Sequence, residues 1–300
     1  MPKPRQTQAI AMTVRGRFAP SPTGDLHQGS LLAALGSWLS ARRQGGQWLV
    51  RIDDIDPPRE VAGASQRILA SLKRLGLVPD TPVLFQSQRR PAYDQAFEAL
   101  RQENLVFPCW CSRQLLASQG GVHRDGHCLI GPQTDRAPAW RARTPDEVLH
   151  FHDRILGPQQ VDLRQTVGDF VVRRVEGFDS YQLATVVDDA WQGVSEVVRG
   201  ADLLSSTPRQ WLLQRWLGLP HPDYAHLPVL LDAQGRKLSK SSQAPALDEM
   251  SPADALRTAL RQLGSPAAAE IGLPPAELLA AALSMPLPSA RSRLRDTSGN

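Results

Sequence analysis

The chain has 300 residues, an apolar fraction of 41 % and a net charge of +4, which predicts a globular protein of one large domain or two modest ones. No run of about 18 apolar residues occurs, so no membrane span is expected. Residues 1–12 contain Lys3 and Arg5 but no apolar stretch, which excludes a typical secretory signal and predicts a flexible tail. The mild basic excess is compatible with a polyanionic partner but does not require one.

A strand-to-helix turn is predicted over residues 17–30, RFAPSPTGDLHQGS. Residues 12–16 before it are suited to a first strand, and residues 31–39 after it are apolar enough for a buried helix. Two prolines and a glycine prevent regular structure inside the turn. The sequence therefore predicts a fixed bend between the first strand and the first helix.

The end of this turn is a candidate phosphate site. Gly29 would let a ligand approach the backbone, the free N–H groups at the start of the helix favour an anion, and His27 adds a side-chain donor. The tetrad at residues 27–30 taken alone would also fit an ordinary helix entry with an incidental histidine.

A βαβ pattern follows. Residues 47–52 predict a second strand, which ends in the acidic loop beginning at Asp53. Residues 64–75 and 91–104 predict amphipathic helices. Alternating strands and helices indicate a parallel sheet, and carboxylates at a strand end lie where such sheets bind ligands.

The three cysteines of the chain lie within residues 109–128. An odd, clustered set is a poor disulfide framework and a better metal site, which indicates a reducing cytoplasm. Zn²⁺ would require a fourth ligand, and either His123 or His127 could supply it. Three buried thiols without a metal are the alternative.

The second half of the chain again shows sequence patterns of strands and helices. Residues 169–174 and 194–204 predict strands, and residues 208–217 predict a helix. Arg199, beside a glycine at a strand end, is well placed to hold a carboxylate through a two-pronged pair. Tyr181 precedes a stretch that is apolar and then acidic.

A cationic loop, GRKLSKS, occupies residues 235–241. Its two lysines and two serines suit a mobile clamp for phosphate, although an isolated basic loop is usually solvated surface. Helices are predicted over residues 253–263 and 276–283.

The turn that ends at residues 27–30 and the cationic loop at residues 235–241 resemble the two signatures of class I aminoacyl-tRNA synthetases. The usual forms of these signatures are His-Ile-Gly-His and Lys-Met-Ser-Lys-Ser, and Leu238 stands in the Met position of the second. The two motifs lie in the correct order, about 210 residues apart. The preceding RFAPSPTG is the form of the glutamyl branch. Fewer than 60 residues follow the second motif, too few for an anticodon-binding region. The tetrad at 27–30, the cysteine loop and the run DIDPPRE at 54–60 resemble the glutamyl-Q tRNA(Asp) synthetase family.

The resemblance implies an α/β fold: a Rossmann-like class I synthetase catalytic domain with a small zinc-bearing insertion and a short helical C-terminal region. The expected division is a tail at 1–12, a first half of the nucleotide-binding domain at 13–104, the insertion at 105–160, the second half at 161–245 and the helical region at 246–300.

The resemblance also implies a reaction. ATP, with Mg²⁺, would activate L-glutamate to glutamyl-adenylate without tRNA. The glutamyl group would then pass to the queuosine base at the wobble position of tRNA(Asp), not to the 3′ end, with the catalytic domain receiving the anticodon loop. We expect a cytoplasmic monomer with one structural Zn²⁺ and no membrane contact.

The matching positions give the implied site residues. The family's glutamate pocket corresponds to Arg17, Phe18, Ala19, Pro20, Ser21, Asp53, Tyr181 and Arg199. Its ATP site corresponds to His27, Gly29, Ser30, Lys237, Ser239 and Lys240, with His27, Lys237 and Lys240 as the catalytic residues. Its zinc ligands correspond to Cys109, Cys111, Cys128 and His123.

Two positions depart from the family pattern. Asp53 stands where members often carry Glu, so a water or a shifted backbone would have to fill the gap. Arg124 stands where the fourth zinc ligand is typically Tyr, and an arginine cannot serve. An extra residue in the loop would bring His123 into register, so we choose His123 over His127.

Three other functions fit parts of the sequence. A truncated glutamyl-tRNA synthetase would charge a tRNA 3′ end, and a non-catalytic paralogue would only bind an amino acid or RNA. Small-molecule nucleotidyltransferases of similar fold share the His-x-Gly turn but do not explain the residues that match the glutamate pocket.

Overall fold

The structure, a computed structural model, describes residues 13–118, 120–228 and 247–284. The strands are β1 Arg15–Phe18, β2 Gln47–Ile52, β3 Leu84–Phe85, β4 Val106–Cys109, β5 Ala139–Ala142, β6 Val148–Asp153, β7 Gly157–Asp162, β8 Val171–Arg173, β9 Glu196–Gly200 and β10 Asp223–Leu227. The helices are α1 Gln28–Arg43, α2 Ala64–Arg74, α3 Arg90–Gln102, α4 Arg113–Ser118, α5 Tyr181–Trp191, α6 Thr207–Trp216, α7 Pro252–Gln262 and α8 Pro275–Ser284.

Seven strands form the main sheet, in the order β3-β2-β1-β9-β10-β6-β7. All neighbouring pairs are parallel except the β6–β7 hairpin. Strands of a parallel sheet are apolar on both faces because helices cover both. Accordingly, Trp48 and Val50 pack into one core, whereas Leu49 between them packs with Val197 and Tyr224 on the other side.

The first core joins the sheet to α1, α2, α7 and α8, and the second joins α3, α5 and α6 to the small sheet. Helix α1 is buried along most of its length. A Cβ at Gly36 would lie 2.6 Å from Cδ1 of Leu227. A glycine here therefore allows α1 to pack closely on the end of β10, beside the strand ends that line the cavity described below.

A second, three-stranded antiparallel sheet has the order β4-β5-β8. It takes β4 and β5 from the predicted insertion and β8 from further along the chain. The β6–β7 hairpin, which lies between β5 and β8 in sequence, extends the main sheet instead, through the pairing of Tyr224 with Asp153.

The structure confirms the α/β class, the parallel sheet and the C-terminal helices. The first strand differs from the prediction: it runs from Arg15 to Phe18 rather than over residues 12–16, because Arg17 and Phe18 pair with Leu49 and Val50 of β2. Residues 1–12 and 235–241 lie outside the described residues. Among the described helices, none has the length and apolarity that crossing a bilayer requires.

Candidate active site

A cavity of about 1120 Å³ opens at the carboxyl ends of β1 and β9. These strands are adjacent in the sheet although far apart in sequence. The helix after β1 packs in the first core and the helix after β9 packs in the second. The chain therefore reverses its winding direction between them, and ligands of open α/β sheets bind at such a crevice.

Every described residue that was predicted for the glutamate and ATP sites lines this cavity. The residues are Arg17, Phe18, Ala19, Pro20, Ser21, His27, Gly29, Ser30, Asp53, Tyr181 and Arg199. The fold brings them together because each lies at or just after the carboxyl end of a strand, or at the start of a helix, around this cavity. One contact fixes two of the loops: the backbone N–H of Asp53 donates to the carbonyl oxygen of Pro20 at 3.0 Å. Lys237, Ser239 and Lys240 lie outside the described residues.

His27 caps helix α1. Its Nδ1 accepts hydrogen bonds from the backbone N–H groups of Gly29 at 3.1 Å and Ser30 at 3.3 Å. These N–H groups, which were predicted to face a phosphate, therefore contact the imidazole. With Nδ1 used as an acceptor, a neutral ring carries its proton on Nε2, where it is a donor. A Cβ at Gly29 would lie only 3.1 Å from Cε1 of His27, so Gly29 makes room for the ring.

Arg199 is buried at the end of β9 and is held on several sides. Its Nη1 donates to Oε1 of Gln210 at 2.8 Å, and its Nη2 donates to Oγ1 of Thr207 at 2.9 Å. Its Nε donates to Nε2 of His226 at 3.1 Å, and the Tyr181 hydroxyl lies 3.4 Å from Nη1. None of these partners is an anion, so the charge of Arg199 remains available to a ligand.

A buried network of charges lies beside the cavity. Nε and Nη2 of Arg17 donate to the two carboxylate oxygens of Asp189, at 3.3 and 3.4 Å. Nη1 of Arg51 donates to Oδ1 of Asp189 at 2.6 Å, and Nε of Arg51 donates to Oδ1 of Asp53 at 2.7 Å. Two guanidinium groups and two carboxylates thus balance each other, as buried charges require.

Asp53 has fewer hydrogen-bond partners in this network than Asp189 has. Its Oδ2 is buried and has no hydrogen-bond partner in the described part of the chain. Burial raises the pKa of Asp53 to about 6, although Arg51 opposes the shift. Burial also opposes ionisation of Asp189, but Arg17 and Arg51 outweigh it and lower the pKa of that group. Asp53 can therefore offer an oxygen to a cationic ligand group, whereas Asp189 is engaged with both arginines.

Sequence reasoning did not assign roles to Arg51 and Asp189. Each has a sequence feature that could have drawn attention to it. Arg51 is a charged residue inside an apolar strand, and Asp189 ends an apolar run. Sequence reasoning also did not single out four other charged residues of the cavity wall, which are Arg113, Arg174, Asp179 and Asp202.

The three cysteines form a compact cluster beyond the cavity. The Sγ atoms of Cys109, Cys111 and Cys128 all lie within 4.8 Å of one another. Cys109 and Cys111 flank the end of β4, and the loop from α4 to β5 brings back Cys128. Three thiols at this spacing are a donor set that fits a metal such as zinc.

His123 lies beside this cluster and is itself buried. Its Nδ1 is 2.7 Å from Oδ2 of Asp169, while its Nε2 has no hydrogen-bond partner among the described residues. Burial raises the pKa of Cys109, but His123, Cys111 and Arg141 together outweigh it and bring the value down to about 6. A histidine held by a carboxylate through one nitrogen, with the other toward thiols, has the usual arrangement of a metal ligand.

His127 differs from His123 in each respect. It is exposed, and its Nδ1 contacts the carbonyl oxygen of Asp125 at 2.8 Å. Arg124 donates through Nη2 to the carbonyl oxygen of Gln165 at 2.9 Å. Of the two histidines considered, His123 therefore has the environment of a metal ligand.

The chain is similar in sequence to proteins that are already known. A sequence profile for the catalytic domain of tRNA synthetases class I (E and Q) matches residues 13–270. A glutamyl-Q tRNA(Asp) synthetase of Xanthomonas axonopodis pv. citri is 55 % identical over 249 residues, which are 83 % of this chain and 82 % of the relative. Another, from Thiobacillus denitrificans, is 50 % identical over 271 residues, 88 % of this chain and 90 % of the relative.

Solved structures share the fold. The glutamate-tRNA synthetase of Elizabethkingia anophelis superposes with a TM-score of 0.75 at 26 % identity, covering 89 % of this chain and 65 % of that chain. A glutamate tRNA ligase from Elizabethkingia meningosepticum, solved in complex with its amino acid, gives a TM-score of 0.76 at 24 % identity and covers 92 % of this chain and 66 % of that chain. The chain thus spans about two thirds of the length of each of these solved chains.

Proposed function

Because the chain belongs to the class I tRNA synthetases of the glutamyl and glutaminyl type, within the glutamyl-Q tRNA(Asp) synthetases, we propose that it activates L-glutamate with ATP and transfers the glutamyl group to queuosine in tRNA(Asp). Activation would need no tRNA, and the acceptor would be the queuosine base at the wobble position. The observation that supports this most directly is the single cavity lined by Arg17, Asp53, Tyr181 and Arg199 together with His27. Since ATP and tRNA are cytoplasmic, we expect the chain to act there.

The cavity has complementary groups for both ends of glutamate. The guanidinium of Arg199 pairs with the side-chain carboxylate, because none of its hydrogen-bond partners in the described part of the chain is a carboxylate. Oδ2 of Asp53, which has no hydrogen-bond partner among the described residues, accepts a hydrogen bond from the ammonium group, and Tyr181 lines the same cavity. This arrangement orients the α-carboxylate toward the nucleotide.

Activation is then an in-line displacement. An oxygen of the glutamate α-carboxylate attacks the α-phosphorus of ATP, and pyrophosphate leaves. Nε2–H of His27 stabilises negative charge on the phosphates, and Lys237 and Lys240 do so from the second motif. No enzyme nucleophile is needed, so positioning and charge neutralisation supply the catalysis. Mg²⁺ enters with ATP and neutralises part of its charge.

A labelled-glutamate assay tests the acceptor. Label should enter tRNA(Asp) that carries queuosine and not the same tRNA without it, and removal of the 3′ adenosine should leave the label in place. Equal labelling of both tRNAs, or loss of label with the 3′ adenosine, would favour a truncated glutamyl-tRNA synthetase. Absence of glutamate-dependent ATP–pyrophosphate exchange would favour a non-catalytic binding protein.

The pH dependence of glutamate activation is expected to report Asp53. With a pKa of about 6, the carboxyl is protonated at lower pH and no longer attracts the ammonium group. The kcat/KM for glutamate in pyrophosphate exchange should therefore rise with pH and level off above about 7, one unit past this value. Asp53→Asn should remove this acidic limb and lower kcat/KM by roughly 10- to 100-fold.

Asp54→Asn is the matched control for this experiment. Asp54 is the next residue, but its carboxylate bonds to the backbone N–H and hydroxyl of Ser87. The Asp54→Asn variant should retain the acidic limb of the pH profile of kcat/KM. An acidic limb that persists in Asp53→Asn would assign the titration to another group.

We also propose that Cys109, Cys111, Cys128 and His123 hold one structural zinc ion. The cluster of three thiols would supply three of the four ligands of a tetrahedral zinc ion. Nε2 of His123, beside Cys109 and without a hydrogen-bond partner among the described residues, would supply the fourth. Asp169 would fix the imidazole of His123 by holding its Nδ1. When bound, the ion would order the loop between β4 and β5, which has little apolar core of its own.

Purified protein should contain about one zinc ion per chain. His123→Ala should weaken zinc retention against a chelator by more than the roughly 10- to 100-fold that loss of an outer-shell partner costs. His127→Ala is the control and should retain zinc, because that side chain is exposed and contacts the backbone carbonyl oxygen of Asp125. Elemental analysis of the unsubstituted protein and of the two variants measures their zinc content. Zinc loss in His127→Ala alone would show that His127, and not His123, is the fourth ligand.

A further inference from the structure

A chain of buried side chains continues from Arg199 away from the cavity. His226 on β10 is the direct register partner of Arg199 on β9. Nε2 of His226 lies 3.1 Å from Nε of Arg199, and its Nδ1 lies 2.6 Å from Oδ2 of Asp153 at the end of β6. Neither His226 nor Asp153 has solvent exposure. Three neighbouring strands thus contribute one residue each to an Arg–His–Asp row.

The donors and acceptors of this row fix the protonation of His226. The Nε–H group of Arg199 can only donate, so Nε2 of His226 must be the acceptor. The hydroxyl of Thr207, 3.3 Å from the same nitrogen, can donate to it as well. The ring proton therefore lies on Nδ1 and is donated to the carboxylate of Asp153. Burial and Arg199 both favour this neutral ring and lower the pKa of His226, against the opposing hydrogen bond with Asp153.

The row also determines which donors Arg199 can offer to a ligand. A guanidinium has five N–H groups. His226, Gln210 and Thr207 hold three of them at 3.1 Å or less. One N–H on Nη2 remains, and the second N–H on Nη1 has only the longer contact of 3.4 Å with the Tyr181 hydroxyl. These two groups suit a two-pronged pair with a carboxylate. Without an acceptor at Nε, the planar group would lose one of the contacts that set its rotation.

Asp153 is itself held firmly. Its Oδ1 accepts hydrogen bonds from the backbone N–H groups of Ile155 at 3.0 Å and Leu156 at 2.8 Å. These contacts and the bond to His226 outweigh burial and lower the pKa of Asp153. An ionised Asp153 requires a donor on Nδ1 and thereby excludes the ring tautomer that would direct an N–H at Arg199.

We propose that His226 is a positioning residue for glutamate recognition, that it orients the guanidinium of Arg199 toward the substrate carboxylate, and that Asp153 sets its tautomer. This inference rests on the proposed function, since it takes Arg199 as the group that binds the glutamate side chain. His226 does not line the cavity and acts only through Arg199.

Two substitutions of His226 separate its two nitrogens. In His226→Asn the side-chain amide can still donate to Asp153, as Nδ1 does, but leaves Nε of Arg199 without its acceptor. In His226→Gln the longer side chain places its amide oxygen near the position of Nε2 and keeps that acceptor. In pyrophosphate exchange, His226→Asn should raise the KM for glutamate by roughly 10-fold or more, with kcat and the KM for ATP nearly unchanged. His226→Gln should recover most of the affinity.

The preference for glutamate over glutamine provides a second readout. If Arg199 is misaligned, the ratio of kcat/KM for the two amino acids should fall in His226→Asn and not in His226→Gln. A purely structural role would instead lower the thermal stability of both variants without changing this ratio. An unchanged glutamate KM in a folded, active His226→Asn overturns the inference while leaving the proposed function intact.

Histidine NMR tests the row without catalysis. In the full chain labelled with ¹⁵N-histidine, the His226 signal, assigned by its absence in His226→Gln, should show a proton on Nδ1 and none on Nε2 at neutral pH. A proton on Nε2 overturns the inference even if His226→Asn fails to fold. Absence of any glutamate-dependent exchange in the unsubstituted chain, by contrast, overturns the proposed function and the inference with it.

Discussion

Replacing Arg199 with Met should raise the KM for glutamate by about 100-fold or more in ATP–pyrophosphate exchange, with the KM for ATP nearly unchanged. Methionine retains most of the buried stem and removes the charge. Truncating one partner of a buried, hydrogen-bonded charge pair costs about 2–5 kcal/mol, and here the unpaired partner is the carboxylate of the substrate. Arg199→Lys should be only partly active, because an ammonium group cannot form a two-pronged pair.

Arg215→Met is the matched control. Arg215 lies in the last turn of α6 and pairs with Glu147, with about a third of each side chain exposed. Partly exposed pairs of this kind contribute roughly 0–1 kcal/mol, so glutamate activation should be unaffected. A normal glutamate KM in a folded Arg199→Met would show that another group binds the side-chain carboxylate.

The parts of the site that follow from local sequence could be predicted. Strand ends, the proline-rich turn and the start of α1 are fixed by residues close together in the chain, and β2 runs over residues 47–52 as predicted. Parallel strands align their carboxyl ends at one edge. Asp53, just after β2, and Arg199, near the end of β9, both line the cavity at that end of the sheet, although only the family resemblance placed them in one pocket beforehand.

The partners of these residues could not be predicted in the same way. Arg51 contacts Asp189 across 138 positions, and Arg199 contacts His226 across 27. Such pairs depend on strand order and register, which no local pattern in the sequence specifies. The use of Gly29 and Ser30 to hold the His27 ring was also missed, because a cap and a phosphate site require the same free N–H groups.

The path of the chain between the two sheets was not predictable either. The β6–β7 hairpin pairs with β10 at the edge of the main sheet, while β8, which follows it, pairs with β5. Strand alternation in β6 is consistent with either sheet. The contact of Asp153 with His226 accompanies this pairing, and it forms only when β6 and β10 lie side by side.

Asp189→Asn is expected to lower the free energy of unfolding by about 3–5 kcal/mol, the cost of leaving a buried charge without its partner. Asparagine has nearly the same shape, so the loss measures charge rather than packing. Asp189 is the carboxylate that Arg17 and Arg51 share. Because its pKa is lowered in the folded chain, its stabilisation persists above about pH 4 and is lost as the pH falls through the folded-state pKa.

Glu98→Gln is the control, since its pair with Arg101 is solvent-exposed and should change stability little. Denaturant unfolding at neutral pH measures both variants. The double variant Asp189→Asn/Arg51→Met should lose less stability than the two single changes summed, because removing Arg51 also removes one of the charges that Asp189 neutralises. Strict additivity, or an Asp189→Asn protein as stable as Glu98→Gln, would mean that the arginines find other partners. The orientation of Arg17 in the cavity would then not depend on Asp189.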